Sequence, residues 1–149
     1  MIRLRLPADL DGCVAALRAV HEADAYPLNW PADPRRWLTP PGMLEAWVAE
    51  GPGGVVDGHI AVQEPGELCR LFVTPAARRR SVGRALVSEV TAWATARDLR
   101  LTLNVTDEQR SAAVAFYEAT GWRHTHTAPA DWTGPDGGPV ELRHYRLDG

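Results

Sequence analysis

Four arginines, Arg78, Arg79, Arg80 and Arg84, crowd a short stretch that also holds Ser81, Val82 and Gly83. An apolar run from Leu68 to Val73 precedes them and stops at Thr74-Pro75; beyond them Val82, Leu86, Val90 and Trp93 recur at helical spacing. The order is strand, loop, helix, with the arginines at the helix N-terminus. A cation there opposes the helix dipole and costs roughly 0.3–1 kcal/mol, so four of them make sense if an anion sits among them. Gly83, having no β-carbon, lets that anion approach the main-chain amides. Ser81 is the expected N-cap through its hydroxyl, while Arg84 stands where a capping box would put Glu or Gln.

Two common phosphate cradles, G-x-x-x-x-G-K-[ST] and G-x-G-x-x-G, are absent from the chain. What remains is R-S-V-G-R-A at Arg80 to Ala85, which fits [RQ]-x-x-G-x-[GA] and follows E-L-x-x-L-x-V-x-P at Glu67 to Pro75. Some 30 residues later comes A-x-x-F-Y-x-x-x-G-W, carried by Ala113, Phe116, Tyr117, Gly121 and Trp122. With these linked motifs the sequence resembles the GCN5-related N-acetyltransferase superfamily. The resemblance implies that acetyl-CoA lays its pyrophosphate on the amides of Ser81, Val82, Gly83, Arg84 and Ala85. Arg80, then Arg78, with Arg79 beside them, would supply charge to the phosphates. The pantetheine arm would run along Leu71, Phe72 and Val73, on a strand that splays from its neighbour. Tyr117 matches the family's general acid, and Glu67 matches a position where several members keep a base. A backbone N–H near Phe72 or Val73 would serve the oxyanion. One position departs: Arg110 stands where many members have Asn, so that contact to the cofactor arm is lost or moves to Ser111.

Acyl transfer to an amine needs a deprotonated nucleophile, a donor for the developing oxyanion and a proton for the departing thiolate. Alkyl amines have pKa near ~10, so a base is useful at neutral pH. Neither Cys13 nor Cys69 sits with a His and an acid in a recognisable pattern, which favours direct transfer over a covalent intermediate. The acceptor is read as a primary amine of a small molecule, because the chain offers no separate domain for docking a protein. A protein N-terminal or lysine acetyltransferase, a non-catalytic acyl-CoA binding module and a phosphate-ligand binder are the alternatives. The stretch from Tyr26 to Met43 holds five prolines and two tryptophans, which makes it a long loop with one short helix near Arg35 to Leu38. Trp30 and Trp37 in it either plug the edge of the core or wall the substrate site; His21 and Glu22, just before it, could meet the acceptor.

The remaining elements must hold these residues in place. Ile2, Leu4 and Leu6 alternate with arginines, giving a half-buried strand that ends at Pro7. A helix capped by Asp9 or Asp11 follows, with Val14, Leu17 and Val20 on its apolar face. Ala46 to Glu50, Val55 to Gln63 and Leu68 to Val73 read as a meander of strands, with a bulge or tight turn at Asp57-Gly58. After the long helix come a strand at Leu101 to Val105, a helix from Asp107 to Gly121, and strands at Trp122 to Thr127 and Val140 to Leu147. The order β-α-(α)-β-β-β-α-β-α-β-β predicts an α+β fold: one mixed, mostly antiparallel sheet with helices on both faces.

At 149 residues the chain fits one domain spanning 1–149. Net charge is −3, so the arginines are a local cluster and nucleic acid is not the expected partner. The two cysteines lack C-x-x-C spacing, and His124 with His126 reads as a half-exposed pair, so no metal is expected. No leader and no membrane span are legible, which places the protein in the cytoplasm. Monomer and homodimer are both open.

Overall fold

The structure, a computed structural model, describes residues 1–106 and 110–147. The expected helix start at Asp107 and the side chains of Arg110, Ser111 and Ala113 lie outside the described residues. Seven strands form one sheet: β1 (Ile2–Leu4), β2 (Met43–Glu50), β3 (Val56–Gln63), β4 (Glu67–Val73), β5 (Thr102–Thr106), β6 (Trp122–Thr133) and β7 (Pro139–Leu147). Their order is β1-β2-β3-β4-β5-β7-β6, and every neighbouring pair is antiparallel except β4 with β5. That parallel pair is joined by the crossover helix α3 (Val82–Ala96), as a strand returning in the same direction requires.

Alternation along β2 decides what each face of the sheet buries. Trp47 joins Ile60, Val62, Leu103 and Tyr145 beneath α3, whose Leu86, Val87, Val90 and Ala94 recur at helical spacing. Val48 instead packs with Phe72 against α1 (Leu10–Asp24), through Cys13, Ala16, Leu17 and Val20. The short helix α2 (Pro34–Trp37) adds Leu38, just past its end, to that second cluster. A fourth helix, α4 (Arg110–Ala119), sends Phe116 and Tyr117 to the first. Helices therefore cover both faces, and the expected α+β architecture is the observed one. Among the described residues no helix is long and apolar enough to cross a membrane.

Several boundaries differ from the sequence reading. The first strand ends at Leu4, because Asp9 reaches back: its carboxylate accepts from the Leu6 amide at 2.7 Å and from Arg3 at 2.8 and 2.9 Å. Asp9 thus closes the turn Pro7–Asp9 and makes no side-chain cap on α1. β6 runs on to Thr133, since pairing with β7 carries it through Pro129, which an edge strand tolerates.

Two irregularities re-aim backbone. Ala49 pairs with Gly58 and Glu50 with Val56, leaving Asp57 as the extra residue, so the bulge foreseen at Asp57-Gly58 is present. The second was not foreseen: His59 pairs with Phe72 and Ala61 with Cys69, so Arg70 and Leu71 together face Ile60. Arg70 takes a left-handed conformation with φ 55° to make this bulge.

Candidate active site

The site begins where the sheet comes apart. β4 and β5 pair only through Glu67 and Thr102, with the Thr102 amide donating to Gly66 O at 3.0 Å. Beyond that point the strands diverge and open a cavity of about 770 Å³. Leu71, Phe72 and Val73 line one side and Leu103 to Thr106 the other, with Gly83, Phe116 and Tyr117 between. The Thr74 amide donates to Asp57 O at 2.9 Å, so strand alternation turns the Val73 N–H away from β3 and into the split. Of the two backbone donors considered for an oxyanion, Val73 is the one so placed.

At one mouth of the cavity stands the start of α3. Ser81 and Arg79 are both left-handed, at φ 60° and 71°. Backbone that alternates this way gathers its N–H groups toward one point. Ser81 does not cap the helix as expected: its hydroxyl makes no capping bond, because a left-handed residue cannot reach the first-turn amides as an extended one does. The Ala85 amide is taken by Ser81 O at 3.0 Å. Among the described residues the amides of Ser81, Val82, Gly83 and Arg84 donate to nothing within the protein. A β-carbon on Gly83 would lie 3.6 Å from Val73 and 3.8 Å from Phe116, on the cavity wall. Four donors gathered at a helix N-terminus beside a strand with unpaired backbone fit a ligand that has a diphosphate and an extended amide-bearing arm.

The arginines are less uniform than their sequence cluster suggests. Arg78 pairs with Asp24 of α1 and lines the cavity. Arg80 donates to Ala76 O at 2.9 Å and lies 3.9 Å from the Asp57 carboxylate. Arg79 and Arg84 have no ion pair among the described residues. Pairs as exposed as these are worth ~1 kcal/mol or less, so an incoming polyanion can recruit them.

Tyr117 is buried, edge-on to Phe116 with ring centroids 5.2 Å apart and to Trp122 at 5.9 Å. Burial pushes its phenol well above the usual tyrosine range. Glu67 lies at the opposite end of the cavity, where its Oε1 accepts from Asn104 Nδ2 at 2.9 Å and its Oε2 from the Gln63 amide. The cavity is also lined by Tyr26, Leu28, Asn29, Trp37, Trp132 and Leu142. Asn29 Nδ2 donates to Thr133 O at 2.9 Å and ties the loop after α1 to β6. Of the loop residues considered for substrate contact, Trp37 lines the cavity and Trp30, His21 and Glu22 do not. His21 Nδ1 donates to Pro27 O at 2.9 Å, and its ring lies tilted against Trp30 at 5.2 Å, which also carries Arg18 over its ring.

His59, which no sequence motif marks, anchors the second bulge. It is fully buried, stacked on Phe72 at 5.1 Å, with Nδ1 2.9 Å from Arg70 O and Nε2 3.0 Å from Arg5 Nη1. A guanidinium can only donate, so Nε2 accepts and the proton sits on Nδ1, where it donates to Arg70 O. Gln63, Asn104, Tyr26 and Arg70 are cavity residues that no sequence motif marks. The first two carry the weak signal of a polar residue on an otherwise apolar strand. Among the described residues no cluster of metal-ligating side chains occurs.

A mostly antiparallel sheet that splits between its two parallel strands, with a helix N-terminus at the mouth of the split, is the acyl-CoA N-acyltransferase architecture. The comparisons agree. The sequence model of the family described as Acetyltransferase (GNAT) domain matches residues 44–124, and the chain belongs to that family. No curated protein matches the sequence. Among solved structures, the ribosomal-protein-S18-alanine N-acetyltransferase of Escherichia coli superposes with TM-score 0.78 at 20% identity, over 99% of this chain and 92% of that one. A ribosomal-protein-alanine N-acetyltransferase from Brucella melitensis gives TM-score 0.76 at 24% identity, covering 98% of each chain. NAA60 of Arabidopsis thaliana, solved with a bisubstrate analogue, gives 0.74 at 17% identity, over 100% of this chain and 98% of its own. At these identities the likeness is one of fold.

Proposed function

We propose that this chain is a cytoplasmic, single-domain N-acetyltransferase that passes an acetyl group from acetyl-CoA directly to a primary amine of a small molecule. The observation that carries the reading is one cavity lined by the half-unpaired strand β4, Tyr117 and Glu67 and reached at Gly83 by the amide cradle Ser81–Arg84. Acetyl-CoA, when bound, supplies the acyl group as a thioester. The cradle holds the diphosphate, Arg79 and Arg84 add charge, and Leu71 to Val73 offer backbone groups to the arm. The Val73 N–H stabilises negative charge on the carbonyl oxygen as the amine adds. Glu67, oriented by Asn104 and Gln63, accepts the amine proton directly or through water. Tyr117 keeps its proton because it is buried, and so can donate to the thiolate as it leaves.

The bond from cavity-lining Asn29 to Thr133 O, which ties the loop after α1 to β6, favours a small acceptor over a polypeptide. Net charge of −3 favours no nucleic-acid role. The test is CoA release with a panel of amines, for wild type and Tyr117→Phe, beside calorimetric titration of acetyl-CoA. Transfer with wild type and a loss of ~100-fold or more in kcat for Tyr117→Phe, at unchanged acetyl-CoA affinity, is the expected result. Binding with no turnover on any amine would make the chain an acyl-CoA binding module instead.

A further inference from the structure

The acceptor end of the cavity holds two opposite charges, each without a charged partner among the described residues. Glu67 is hydrogen-bonded only by the neutral amides of Asn104 and Gln63, and the titratable group that faces it is His144, which burial favours in its neutral form. Arg70 donates through Nε to Trp37 O at 2.9 Å and lays its guanidinium over the Trp37 ring at 4.0 Å. Its two terminal nitrogens make no hydrogen bond and no ion pair among the described residues. Both residues line the cavity, with Cys69 between them in sequence and on its wall. The Cys69 thiol feels both charges: burial pushes it up, Arg70 opposes that and Glu67 adds to it.

The backbone reinforces the point. A left-handed conformation on a strand favours Gly or Asn and is uncommon for a long side chain. Here it is occupied by arginine at φ 55°, and buried His59, itself held by Arg5, donates to its carbonyl. The bulge sets the Arg70 side chain on the α2 side of the sheet, stacked on Trp37 with its donor edge unused. A planar guanidinium with free donors matches a carboxylate, bidentate where geometry permits. A half-buried cation and a half-buried anion in one pocket are complementary to a ligand that carries both charges.

Building on the acetyl-transfer reading, we propose that the acceptor is a free amino acid whose amine is directed to Glu67 and whose carboxylate is held by Arg70. Leu28, Trp132 and Leu142 also line the cavity and offer apolar surroundings to its side chain. A simple amine would leave Arg70 unanswered, and so would a peptide N-terminus, whose first carboxylate is an amide.

The experiment compares each of a set of apolar amino acids with its amide and its decarboxylated amine, phenylalanine with phenylalanine amide and phenethylamine for instance. Two readouts are taken: kcat/KM for CoA release, and calorimetric binding of the acceptor in the presence of CoA. For at least one amino acid of the set, the free acid should exceed its two analogues by ~10-fold or more. In Arg70→Gln that ratio should fall toward unity, and Arg70→Lys should recover part of it. Because the ratio is taken within one protein, loss of folded protein cancels. Ratios near unity in wild type, or ratios that survive in Arg70→Gln, overturn the proposal. Absence of turnover with any acceptor, alongside preferential binding of the free acid, would sink the transfer reading and leave the carboxylate subsite standing.

Discussion

Lowering the pH from 7 to 5 should destabilise this fold through one imidazole. His59 is sealed between β4 and the Arg5 guanidinium, with Nδ1–H donated to Arg70 O and Nε2 accepting from Arg5. A second proton would have to go on Nε2, where it faces a cation 3.0 Å away. Burial first, then Arg5 and Arg70, push its pKa down to about 4 from 6.5; only the bond to Arg70 O works the other way. The unfolded chain therefore binds more protons than the folded one between these two values. The stability this group contributes is complete above pH 6.5 and is lost as pH falls toward about 4. The whole window is worth ~3 kcal/mol, of which ~2 kcal/mol should be gone between pH 7 and pH 5. Urea unfolding of wild type and His59→Gln at the two pH values measures it. The variant starts lower, since it loses the ring's packing, but its stability should change much less with pH. His144, whose pKa burial also lowers, contributes a fall of the same sign in both proteins and cancels in the comparison. If His59→Gln loses as much between pH 7 and pH 5 as wild type does, His59 is not the group responsible and the tautomer assigned to it is wrong.

Two further outcomes follow from the same geometry. At Gly66 φ is 151° and a β-carbon would sit 2.6 Å from Arg100 O, so Gly66→Ala should cost ~1–3 kcal/mol. Thermal unfolding reads that loss, and because Gly66 O receives the Thr102 amide at the apex of the split, acetyl-CoA affinity should fall with it. Burial pushes both cysteines up to about 11, so an alkylating agent at pH 7.5 should label them slowly. Mass spectrometry should find Cys69, which lines the cavity, labelled before the fully buried Cys13.

Much of the frame was legible because it depends on local pattern. Strand composition at Leu68 to Val73, helical spacing from Val82 to Trp93 and the glycine stop at Gly121 each fix an element within its own length. What escaped the sequence depends on partners far along the chain. Glu67 and Asn104 meet only because β5 sits beside β4, and Asn104 in L-T-L-N-V has no local mark of that contact. Arg70 reads as an ordinary strand residue until the register with β3 shows one residue too many. Ser81 looked like a helix cap by residue type, whereas its left-handed backbone makes it part of the amide cradle. Trp30 and Trp37 are alike in a proline-rich loop; only the packing of α2 on Arg70 puts one of them at the cavity.

The divergence of β4 from β5 carries a hazard as well as a use. Strand backbone left without a neighbour is a template on which other chains can add, and natural sheets blunt or hide such rims against aggregation. Here the exposed rungs are recessed in the interior of the sheet, roofed by Phe116 and Tyr117 and flanked by Tyr26 and Trp37. A slender extended molecule can thread to them, and the edge of a second sheet is too broad to follow. The protein can thus keep a docking rail permanently open while remaining safe from its own copies.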